Sequence, residues 1–153
     1  MAPSTGGINR PLLIGIGNRL RSDDGAGPRL IDNLAAAGGG RLQILTVHEL
    51  TPEHAAVVAD ASAVLFVDAC PARRRLALEA IATAASGGGS FSHQLSPARL
   101  LALSEVVYGA HPPAWQLLIP AEHLEPGEGL SPTTQAAMTA ALRLLHRWCM
   151  RHA

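Results

Sequence analysis

The run Pro11-Leu-Leu-Ile-Gly-Ile-Gly17 is apolar throughout and bounded by turn-forming residues. A strand without a polar face must be covered on both sides, as in a parallel sheet flanked by helices. Residues 63–69 (AVLFVDA) repeat the pattern, and 42–47 and 115–119 read as two further strands. Helical spacing falls between them. Leu30, Ile31, Leu34 and Ala35 share one face of a helix expected over about residues 24–37, with Pro28 tolerated in its opening turn. Thr51, Pro52 and Glu53 supply an N-cap, a first-turn proline and a favourable negative charge to a second helix running to about residue 59. Alternating strands and helices predict a mainly parallel sheet with helices on both faces.

Residues 70–74 alone separate the third strand from 76–82, whereas a parallel return needs about a dozen residues or more, so this edge strand is expected to be antiparallel. Gly87-Gly88-Gly89 marks a loop, Ser96-Pro97 opens a helix that Gly109 closes after Tyr108, and Ser131-Pro132 caps a last helix. That helix carries Ala137, Met138, Ala141, Leu142, Leu145 and Trp148 on one side as packing surface. The expected fold is a single α/β domain over residues 1–153, with 1–10 as a tail. It is a three-layer sandwich around a five-stranded twisted sheet, mostly parallel with one antiparallel strand.

Composition narrows the partners. Hydrophobic residues make up 48% and charged residues 16%, enough for a sizeable core. The formal net charge is zero, all the basic residues are arginines, and no basic run exceeds Arg73-Arg74-Arg75, which argues against nucleic acid. No apolar stretch approaches the roughly 20 residues of a membrane helix, and the first ten residues lack the segments of a signal peptide, so a cytoplasmic protein without membrane insertion is expected. Cys70 and Cys149 form neither a disulfide framework nor a CxxC site and read as small core residues.

In open α/β sheets ligands bind beyond the C-terminal strand ends, where Asp23, Asp24, His48, Glu49 and Asp68 fall. The segment GIGNRLRSDDGAG fails as a dinucleotide fingerprint, because Leu20 stands where the last glycine is needed and two acids occupy the loop. One cap needs one carboxylate, so Asp23 is expected to cap the first helix and Asp24 to face the crevice. Asp68 ends an apolar strand and must meet solvent, a cation or a metal there. With His93, which precedes the helix at Ser96, the two aspartates make a three-ligand set with open positions for a divalent ion such as zinc or nickel. His48-Glu49 is no HExxH metalloprotease motif, since Pro52 takes the second histidine position. No GxSxG elbow is present, and nothing local marks Cys70 as a catalytic thiol.

The segments GIGNRLRSDDGAGPRL, HELTPEHA, VLFVDA, SHQLSP and EPGEGLSPT, in this order over residues 12–148, resemble the maturation endopeptidases of nickel-iron hydrogenases. That resemblance implies an endopeptidase that removes the C-terminal extension of a hydrogenase large-subunit precursor after nickel insertion. Asp24, Asp68 and His93 would be the metal-contacting and catalytic residues. The nickel would be supplied by the substrate, zinc or another divalent metal would fit the same site, and no nucleotide would be used. Glu49, Arg19 and Arg21 would contact the precursor. Many such enzymes carry glutamate at the position of Asp24, and a glycine-rich loop where this chain has HELTPE. A metal-polarised carbonyl, a metal-activated water and a carboxylate base such as Asp24 all remain open as routes to cleavage. The alternative is a nickel-dependent maturation chaperone that does not cut.

Overall fold

A computed structural model describes residues 9–36, 41–82 and 95–153 of the chain. The Gly87-Gly88-Gly89 loop, His93 and residues 1–8 of the expected tail lie outside the described residues. Strands β1 (Pro11–Ile16), β2 (Gln43–Val47), β3 (Ala63–Cys70), β4 (Ala77–Ala80) and β5 (Ala114–Pro120) form one sheet in the order β2-β1-β3-β5-β4. The β1–β2, β1–β3 and β3–β5 pairs are parallel, while β4 runs antiparallel to β5. This agrees with the expected five-stranded, mostly parallel sheet.

The pleat of β1 and β3 sorts the core into two layers. Leu13, Leu65 and Val67 point to the face covered by α1 (Ala26–Ala36) and α4 (Pro132–His152), meeting Leu30, Ile31, Ala141 and Leu145. Leu12, Ile14, Val64 and Phe66 point the other way, to α2 (Ala55–Ala59) and α3 (Pro97–Tyr108), where Val58, Leu100 and Leu101 receive them. Both faces are buried, as the uniformly apolar strands require. Truncating a fully enclosed side chain such as Phe66 to alanine is expected to cost about 3–5 kcal/mol.

Helix ends follow the sequence chemistry at three places. The Ser96 hydroxyl accepts the Arg99 amide at 3.2 Å, Gly109 closes α3 in the left-handed region at φ 76°, and Ser131 caps α4 ahead of Pro132. The first helix departs from expectation. A 3-10 turn, Ser22–Gly25, holds both aspartates, and α1 starts only at Ala26. Asp23 does not cap α1, because its carboxylate is engaged across the fold. The strand expected over 76–82 is also shorter, Ala77–Ala80, with the Ile81 amide adding one bond to the Ala114 carbonyl of β5 at 2.9 Å.

Candidate functional site

The chain leaves β1 towards β2 on one side and returns to β3 on the other, so the crevice beyond β1 and β3 is the point where strand order reverses. Glycines let the acidic turn settle against this edge. Gly17 sits at φ 140°, and a Cβ there would collide with the backbone oxygen of Asp24. At Gly27 a Cβ would lie 2.5 Å from the Val67 carbonyl oxygen, so α1 can approach β3 only without a side chain at that position.

Backbone bonds fix the loop between. Asn18 accepts the Leu20 amide on its side-chain oxygen at 2.9 Å and the Arg21 amide on its carbonyl at 3.0 Å. Its own amide donates to Asp24 Oδ2 at 2.7 Å, which orients that carboxylate from below. Asp68 stands in register with Ile16 of β1 and is half-buried at the mouth. Burial, followed by the negative charge of Asp24, pushes its carboxyl up to about 7, against a smaller opposing bond from the Ala69 amide. A carboxyl whose charge is disfavoured by burial and by a neighbouring acid is one that a cation would relieve.

Asp24 and Asp68 line a cleft of about 610 Å³, together with Arg21, His48 and Glu49. Arg21 also donates from Nε to the Leu124 carbonyl at 3.2 Å. Arg19 takes another course: it pairs with Asp32 of α1 at 2.6 Å, on the flank of the helix rather than in the cleft wall. Among the described residues no three His, Cys, Asp or Glu side chains gather closely enough to hold a metal. The two aspartates supply oxygen donors, and the position of the expected nitrogen donor, His93, lies outside the described residues.

Sequence reasoning missed the group that holds the acidic turn in place. Asp23, fully enclosed, accepts the amides of Glu122 at 2.8 Å, His123 at 2.9 Å and Ser131 at 2.7 Å, and the Ser131 hydroxyl at 2.8 Å. Burial alone would raise its carboxyl, yet these four donors hold it well below the usual carboxylate range. The connection after β5 is further stitched to the turn by Ser22 N to Gly127 O at 2.8 Å and Gly127 N to Leu20 O at 2.9 Å. The signal available was EPGEGLSPT, whose glycines Gly127 and Gly129 both adopt positive φ.

Several solved structures share this architecture. The hydrogenase maturating endopeptidase HybD from Escherichia coli superposes with a TM-score of 0.69 at 21% identity, over 89% of each chain. The nickel-iron hydrogenase maturation protease HycI from Thermococcus kodakarensis gives 0.71 at 19% identity over 91% of each. The chain has the fold of the hydrogenase maturation endopeptidases. A hydrogenase 2 maturation peptidase from a Thaumarchaeota archaeon adds a TM-score of 0.66 at 22% identity, over 91% of this chain and 97% of its own. No protein-family model and no curated protein matches the sequence. The likeness to the maturation endopeptidases is thus one of architecture, and the five-stranded mixed sheet with helices on both faces is common ground.

Proposed function

We propose that this protein is an endopeptidase that removes the C-terminal extension of a nickel-iron hydrogenase large-subunit precursor once nickel has been inserted. One observation carries the reading: Asp24, on the turn after β1, and Asp68, near the C-terminal end of the parallel strand β3, line one open cleft at the switch point of a maturation-endopeptidase fold. Four of the five segments that resemble those enzymes contribute residues to the wall of this cleft, and the fifth, EPGEGLSPT, follows Leu124 of that wall.

In this reading nickel arrives as part of the substrate. Asp24 and Asp68 contact it with His93, so that only a loaded precursor is positioned for cleavage; zinc or another divalent ion fits the same donors. Glu49 and Arg21, both on the cleft wall, contact the precursor, and Arg19 contacts it from the adjoining flank of α1. With no cation present the Asp68 carboxyl is pushed up to about 7, so contact with the substrate's nickel would displace a proton from it. Among the described residues no helix is long and apolar enough to cross a membrane. We place the reaction in the cytoplasm.

The test is processing of the cognate precursor by Asp24→Asn, Asp68→Asn and His93→Ala, each checked for an intact fold. The reading expects each to lose at least about 100-fold in rate, the scale of a removed catalytic group. Full activity in all three would sink it.

A further inference from the structure

Beside the acidic cleft, over the ends of β3 and β5, lies a second groove of about 590 Å³ whose walls include Arg73, Arg74, Pro120 and Glu122. Pro71 lines both spaces, so the groove adjoins the cleft along the C-terminal edge of the sheet, with Cys70 and Pro120 in register close by. The charges in the groove are unequally matched. Arg73 pairs with Glu79 at 2.8 Å, and Glu122 accepts the Thr133 hydroxyl at 2.6 Å. Arg74 forms no ion pair among the described residues, and it lines the groove while its neighbour Arg75 does not. Acidic cleft and groove thus lie side by side, and among the described residues the Arg74 guanidinium stands outside any ion pair.

The geometry points to this groove as the subsite for the part of the precursor that cleavage releases, with Arg74 binding a carboxylate on that segment. This rests on the proposed protease reading. The retained part of the substrate carries nickel and occupies the acidic cleft, so the chain beyond the scissile bond continues past Pro71 into the groove. A C-terminal extension always offers at least one carboxylate, its terminal group. Acidic side chains are the other source, and a planar guanidinium suits either through paired N–H donors.

The test compares wild type, Arg74→Gln and Arg75→Gln on three forms of the nickel-loaded precursor: unaltered, with the acidic side chains of the extension neutralised, and with an amidated C-terminus prepared by ligation. Cleavage is followed by intact mass. Arg74→Gln should lower kcat/KM about fivefold through KM, the scale of an exposed ion pair, while Arg75→Gln cleaves as wild type. One of the two altered substrates should show the same loss with wild type and no further loss with Arg74→Gln, which identifies the carboxylate. Unchanged cleavage by Arg74→Gln, equal losses in both arginine variants, or substrate effects that simply add to the variant would overturn the inference. A wild-type protein that cuts no loaded precursor overturns the protease reading instead.

Discussion

The Asp23 carboxylate accepts the Ser131 amide at 2.7 Å, so the turn after β1 and the cap of α4 share one enclosed charge. Asp24 therefore owes its position to its neighbour: Asp23 anchors the turn to the connection after β5, and the next residue is left to face the cleft.

Asp23→Asn keeps the shape but turns a multiple acceptor into a group with a misplaced donor. The expected loss is about 3 kcal/mol, or roughly 9 °C in Tm, read by thermal unfolding at pH 7. The pH dependence has a definite sign. Because the folded carboxyl lies below the ordinary value of 3.8, its contribution is present above that pH and is lost as pH falls further, so the gap between variant and wild type narrows in acid. A gap that is constant from pH 7 to pH 3 would contradict this role.

Gly17→Ala adds a methyl group where the Asp24 carbonyl oxygen sits, in a backbone conformation that alanine rarely adopts. The turn must shift and carry Asp24 with it. Precursor processing should drop by at least about 100-fold, since misplacement of about 1 Å at a reacting centre has that effect, and stability should fall as well. Adding a methyl at Gly109, where nothing lies within 4 Å, serves as the comparison: Gly109→Ala keeps processing and loses only some stability through its left-handed φ of 76°.

Asp68→Asn should stabilise the protein at alkaline pH while abolishing processing. With the folded carboxyl raised to about 7, the native state holds a proton that the unfolded chain releases near 3.8, so wild-type stability declines as pH rises between those values. The variant escapes that decline. Its Tm should exceed that of wild type by a few degrees at pH 8 and match it at about pH 4 or below. A variant less stable than wild type at pH 8 would show that the Asp68 charge is compensated in the folded protein.

Much of the fold was legible because the apolar runs 11–17 and 63–69 admit only a doubly covered sheet, and because residues 70–74 are too few for a parallel return. Those constraints are local or topological. The partners of Asp23 are neither: Glu122, His123 and Ser131 lie about a hundred residues away in sequence, and no spacing rule links an acid to amides that distant. For the same reason Asp23 read as a cap. The charge of Arg19 was legible, but its pairing with Asp32 depends on how the loop folds back over α1. Arg73 and Arg74 read only as part of a short basic run, since nothing in the sequence shows that their groove lies next to the acidic cleft, with Pro71 lining both.

The most direct measurement is intact-mass analysis of the cognate large-subunit precursor, isolated with and without nickel, after incubation with this protein. The account predicts loss of a short C-terminal peptide from the nickel-loaded form alone. Cleavage regardless of nickel would contradict recognition of the metal by Asp24, Asp68 and His93, and an uncut, demonstrably loaded precursor would contradict the protease itself, leaving a nickel-dependent chaperone with the same cleft.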